Sequence, residues 1–91
     1  MTDVELGQIE ARCNAATPAQ WQSFIEGRDH TSGSDFIRTG GLDDSCPDIE
    51  LTGATDEDQD FIAHARQDVP TLIAEIRRLQ ALMASSHARG A

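Results

Sequence analysis

Gln22-Ser23-Phe24-Ile25-Glu26-Gly27-Arg28-Asp29-His30-Thr31-Ser32-Gly33-Ser34-Asp35-Phe36-Ile37-Arg38-Thr39 decides the fold of this 91-residue chain. Two short runs, Gln22–Glu26 and Asp35–Thr39, each carry an apolar pair, Phe24-Ile25 and Phe36-Ile37. They flank a polar stretch bounded by Gly27 and Gly33, which predicts a β-hairpin whose connection faces solvent. A third run, Asp48-Ile49-Glu50-Leu51-Thr52, alternates polar and apolar with period two and predicts a third strand, with Ile49 and Leu51 toward the helices. Gly40-Gly41 and Ser45-Cys46-Pro47 punctuate the connection between the second and third strands. Three short antiparallel strands cannot stand alone and need helices on one face.

Helices are predicted on both sides of this sheet. Thr2 and Glu5 have the spacing of a capping box, and Leu6, Ile9, Cys13 and Ala16 share one face, so a helix runs from about Thr2 to Ala16. Thr17-Pro18 ends it. Trp21, the chain's one tryptophan, reads as an anchor between that helix and the sheet. Toward the C-terminus Thr55 caps a helix whose first turn is Asp56-Glu57-Asp58, where free backbone N–H groups stabilise carboxylates. That placement explains the acidic run without a metal, and the glycine and terminal glutamate of a calcium loop are missing. Phe61, Ala65, Val69, Leu72, Ile76, Leu79 and Met83 step by three and four residues into an apolar stripe, which suggests an antiparallel helix pair or a subunit seam. Pro70 interrupts it, giving one kinked helix or two consecutive ones. The expected architecture is therefore α+β: an N-terminal helix, a three-stranded antiparallel sheet and the C-terminal helical segment, in one domain over 1–84 with a frayed tail over 85–91.

Composition bounds the function. Sixteen acidic and seven basic residues, all seven arginine, give a net charge of −9, which disfavours binding to duplex nucleic acid. No run is long enough to span a bilayer. The acidic N-terminus, with no apolar run after it, reads as cytoplasmic. Cys13 and Cys46 lack paired spacing; they fit free thiols as well as one disulfide, and the free-thiol reading is preferred. A core this small favours a homo-oligomer.

Most of the candidate chemistry lies in the hairpin connection. Arg28, His30, Thr31, Ser32 and Gly33, with Arg38 on the following strand, combine cations, hydroxyls and turned backbone N–H groups in a pattern suited to a phosphate. The leading expectation is a non-enzymatic binder of a small phosphorylated, nucleotide-like ligand, with no cofactor, catalytic residue or metal assigned. A protein-interaction module, inhibitor or adaptor, using the acidic surface is the alternative, and a small hydrolase using His30 the third. Ordinary turn chemistry also accounts for Asp29, Thr31 and Ser32. His64 reads as a partly exposed surface histidine.

Thr17-Pro18-Ala19-Gln20-Trp21, Glu26-Gly27-Arg28-Asp29-His30-Thr31-Ser32-Gly33 and Asp60-Phe61-Ile62-Ala63-His64-Ala65-Arg66-Gln67-Asp68-Val69-Pro70 together resemble a group of short bacterial and phage-borne proteins. In that group a Thr-Pro-x-Pro-Trp element precedes a variable β region and a Phe-Ile-Ala-x-Ala-Arg-x-Asp-Val-Pro helix. The resemblance covers most of the chain and implies prophage or mobile-element cargo, with no catalytic residues to carry over and with sequestration of a ligand as the expected role. Ala19-Gln20 stands where the group usually has Gly-Pro, a difference that affects a turn rather than a side-chain site.

Overall fold

A computed structural model describes residues 1–40 and 48–89, with side chains through residue 86. The expectations for Gly41, Asp43, Asp44, Ser45, Cys46 and Pro47 lie outside the described residues. The element order is α1 (Asp3–Ala15), β1 (Gln22–Phe24), β2 (Phe36–Arg38), β3 (Ile49–Glu50) and α2 (Asp56–Arg89), an α+β arrangement.

Local chemistry sets both helix starts. Thr2 accepts the Glu5 N–H while Glu5 accepts from the Thr2 N–H, a complete capping box. Thr55 and Asp58 make the same reciprocal pair at the start of α2. A single helix then runs through Pro70 and past Ser85 to Arg89, so the expected frayed tail is helical through that residue. The strands are shorter than the sequence suggests. They form an antiparallel meander in the order β1-β2-β3, with Phe24 opposite Phe36 and Ile37 opposite Ile49. Ile49 does not face the helices as expected: it is exposed, and Leu51, beyond the strand, is half-buried.

The core is narrow. Leu6, Ile25, Ile37, Ala63 and Ile73 are its buried apolar side chains, joined by the amide of Gln59, which is 1% exposed. Gln59 Nε2 donates to the carbonyls of Phe24 and Phe36 and to Ser23 Oγ at 3.0–3.1 Å, so one residue of α2 holds both strands of the hairpin. Further along, α1 and α2 enclose a small cavity lined by Cys13, Pro70 and Ile73 and are bonded through Arg77 to Glu10 and Gln80 to Asp3. The inward residues of α2 are thus Gln59, Ala63, Arg66, Pro70, Ile73 and Arg77. Phe61, Ala65, Leu72 and Leu79 of the apolar stripe are two residues out of step with that set, roughly 200° around the helix. Phe61 is 75% exposed, Leu72 61% and Met83 72%, so these members of the stripe are turned to solvent, while Ala65, Val69 and Ile76 are half-buried and Ala65 and Val69 border α1.

The linker from α1 to β1 is fastened to α2. The Thr17 carbonyl accepts from the Trp21 indole N–H at 3.1 Å and from Arg66 Nε at 2.9 Å. Within this linker Ala19 sits at φ 77°, the left-handed region where a Cβ costs about 1–2 kcal/mol. Glycine removes that strain but gives back part of the gain through its more flexible unfolded state. Ala19→Gly is expected to stabilise the fold by about 0.5–1 kcal/mol, measured as an increase in the denaturation midpoint at unchanged slope.

Candidate functional site

The hairpin connection is built as a self-satisfied turn. Gly27 and Gly33 adopt φ of 82° and 98°, values open to glycine. Its backbone N–H groups are then consumed internally. Gly27 donates to the His30 carbonyl, Arg28 and Asp29 to the Ile25 carbonyl, and Gly33 to Glu26 Oε2 at 2.7 Å. Asp29 Oδ2 accepts from the Ile25 N–H, and Asp35 Oδ1 from the Glu26 N–H. The N–H groups of Gly27, Arg28, Asp29 and Gly33 are therefore already occupied.

His30 belongs to the packing of this turn. Its ring stands edge-on to Phe24 and Phe36, with centroids 6.2 and 5.0 Å away, while the two phenyl rings stack at 5.1 Å. Nδ1 accepts the Ser32 backbone N–H at 3.1 Å and lies 2.6 Å from Ser32 Oγ. Since Nδ1 presents a lone pair to an N–H, the neutral ring carries its proton on Nε2, which is buried without a hydrogen-bond partner. A hydroxyl–imidazole contact is the start of a nucleophile–base pair. Here the backbone N–H shares the same lone pair, and among the described residues no carboxylate orients Nε2, so the geometry is that of a local turn contact. Thr31 is exposed.

Arg28 is the main clamp between this turn and α2. Nη1 and Nη2 form a bidentate pair with Asp60 at 2.8 and 3.0 Å, and Nε and Nη2 bond Asp29 Oδ2 at 3.0 and 2.8 Å. Four of its five N–H donors are used in these bonds. The pair with Asp60, then that with Asp29, pushes the Arg28 guanidinium further above its ordinary range. Arg28, helped by the Ser23 hydroxyl, draws Asp60 down to about 2. Asp29 is lowered as well, by Arg28 first and then by the Ile25 N–H.

One concave site gathers part of the expected set. A cleft of about 740 Å³ opens between the α1–β1 linker, the outer edge of β1 and the first turns of α2, and its lining includes Trp21, Gln22, Arg28, Arg38, Asp60 and His64. Arg28 and Arg38 meet there; His30, Thr31, Ser32 and Gly33 do not line it. Arg38 reaches it from β2, its guanidinium 5.3 Å from the Phe24 ring centre and 3.9 Å from Asp48. That ion pair is longer than a hydrogen bond and half open to water, so it holds Arg38 loosely. Gln67 clamps Trp21 by accepting its N–H and donating to its carbonyl, at 3.5 and 3.3 Å. His64 joins the lining from α2, four residues after Asp60. Sequence reading treats it as surface decoration, and the i, i+4 spacing from Asp60 is the signal that links them.

Among the described residues no group of three or more His, Cys, Asp or Glu side chains is arranged to hold a metal ion, and no helix is long and apolar enough to cross a membrane. Cys13 is a half-buried free thiol. A scan against protein-family models and searches of curated proteins and of solved structures find no match to this chain.

The clamp makes a pH-dependent stability prediction. The folded-state pKa of Asp60 lies below its ordinary 3.8, so the contribution of the pair is complete above that value and is lost as pH falls toward about 2. Arg28→Ala should melt below the wild-type protein at neutral pH, with the gap closing between about pH 4 and 2 and narrowing in high salt. Thermal denaturation of both proteins across that range checks it.

Proposed function

We propose that the chain is a non-enzymatic binding protein whose ligand, small, phosphorylated and nucleotide-like, occupies the cleft beside Trp21. The convergence of Arg28 and Arg38 on that one cleft carries this reading. The two arginines have different parts. Arg28, held by Asp29 and Asp60, is a fixed wall with one N–H to spare, whereas Arg38, over the Phe24 ring, has among the described residues only the long contact to Asp48 as an ion pair and can turn its fork to an incoming anion.

Charge narrows the ligand class. Asp29, Asp48 and Asp60 stand against the two guanidiniums, so the surroundings carry no surplus positive charge. A phosphate dianion would meet repulsion at its second charge, while the single charge of a phosphodiester can be met by Arg38 alone. Trp21 supplies a flat apolar surface beside it, on which a base could stack, and Gln22 supplies amide hydrogen bonds. Sequestration of such a ligand accords with the resemblance to phage-borne proteins. The binder is also proposed to work as a homo-oligomer.

Arg38→Ala should weaken a phosphodiester ligand by about 1.5–3 kcal/mol, the range for hydrogen bonds to charged groups, with little change in melting temperature of the free protein. Thermal-shift screening against cyclic nucleotides and dinucleotides, followed by calorimetric titration of wild-type and Arg38→Ala protein, tests this. Mass spectrometry of the recovered ligand should find it unaltered. Absence of any shift, or equal affinity for both proteins, overturns the reading.

A further inference from the structure

We propose that the outer face of α2 is covered by the same face of a second copy of this chain, the two helices running antiparallel. This inference rests on the homo-oligomer part of the proposed function and not on the identity of the ligand.

The face is regular, and among the described residues its outer part is unpartnered, while Val69 and Ile76 are half-buried. Val69, Leu72, Ile76, Leu79 and Met83 follow the alternating three- and four-residue steps of a helix-pair seam, yet Leu72, Leu79 and Met83 are 61%, 46% and 72% exposed. Continuous with the seam, an apolar groove of about 280 Å³ opens between α1 and α2, lined partly by Ile9, Ile62 and Val69. Beyond Gln80, which is bonded to Asp3 at the start of α1, α2 outruns the other described elements: residues 81–86 are all exposed, Leu82 and Met83 among them. A solvent-exposed helical end with large apolar side chains lacks the tertiary packing that ordinarily sustains a helix in water.

The area suits a second copy. Large apolar side chains in this state present on the order of 100 Å² each, so the patch reaches several hundred Å², against about 800 Å² per partner in a standard interface. The flanking groove and the stems of Glu75 and Arg78, themselves ion-paired within the helix, extend it toward that size. An isologous contact also uses one self-complementary surface, and it closes after two subunits.

Charge sets the direction. The first turn of α2 is Asp56-Glu57-Asp58, and a parallel pair would place two such triplets side by side. Antiparallel pairing separates them by most of the helix and opposes the helix dipoles. It also allows small residues to face large ones, with Ala65 opposite Met83, Val69 opposite Leu79 and Leu72 opposite Ile76.

Sedimentation and distance measurement test the proposal. Wild-type protein should be a dimer at tens of micromolar, and Leu72→Glu/Leu79→Glu should be a monomer. These two positions are exposed in the single chain, so circular dichroism should still report a folded α+β protein; if it does not, the single variant Met83→Glu, at the outer end of the helix, should show the same loss of dimer. For direction, Ser86→Cys carrying a spin label, with Cys13 and Cys46 replaced by Ser, should give an inter-subunit distance of roughly 35 Å or more, whereas parallel helices would bring the labels within about 20 Å. A wild-type monomer, a dimer indifferent to these substitutions, or the short distance overturns the proposal. Failure of the Arg38 titration alone would strike the ligand reading and leave this one standing.

Discussion

The side-chain amide of Gln59 is the contact on which the arrangement of this molecule depends. Phe24 and Phe36, opposite each other in the hairpin, both turn a backbone carbonyl to its Nε2, and the Ser23 hydroxyl joins them. A typical hydrogen bond contributes about 1 kcal/mol net, but a buried carbonyl left without a donor costs about 1–3 kcal/mol. An apolar residue at position 59 would therefore abandon two carbonyls at once. The next residue, Asp60, reaches outward to Arg28. Adjacent residues of α2 thus grip the interior of the hairpin and the tip of its turn, and a sheet of three very short strands acquires a fixed position on the helix.

This grip explains why the inner face of α2 is so weakly apolar. Gln59, Ala63, Arg66, Pro70 and Ile73 fit close to the strands, the linker and α1, and much of their contribution is made through hydrogen bonds and small size. Apart from Ile73, the large apolar side chains flank that face or, like Phe61, Leu72, Leu79 and Met83, lie exposed beyond it. The proposed ligand cleft lies near the start of α2 and the proposed subunit seam along its outer side, with Trp21 lining both the cleft and the apolar groove that borders the seam.

Much of this was legible in the sequence, and the limits have a physical origin. Capping residues act within four positions, so Thr2-Glu5 and Thr55-Asp58 announce both helix starts, and glycine-bounded polar residues between apolar pairs announce the hairpin. Gln59 was invisible because it sits in an acidic run and only the strands brought to it make it a core residue. The Arg28–Asp60 pair spans 32 positions, and no local pattern ties those two together. For the same reason, His30, Thr31, Ser32 and Gly33 read as a binding loop: the residues that bind phosphate also close turns upon themselves, and only the finished hydrogen bonds of Glu26, Asp29 and Ser32 distinguish the two uses. Helical periodicity located the apolar stripe correctly but carried no information about what the stripe faces.

In the proposed assembly α2 has two faces, an inner one satisfied within the chain and an outer one satisfied by a second copy. Amide hydrogen exchange along α2, followed as a function of protein concentration, tests it most directly. Residues 59–73, held by the hairpin and α1, should be protected at every concentration, while protection of residues 81–86 should rise with concentration toward the same level. Exchange of 81–86 at the rate of a free helix end, unchanged as the protein is concentrated, would contradict the account.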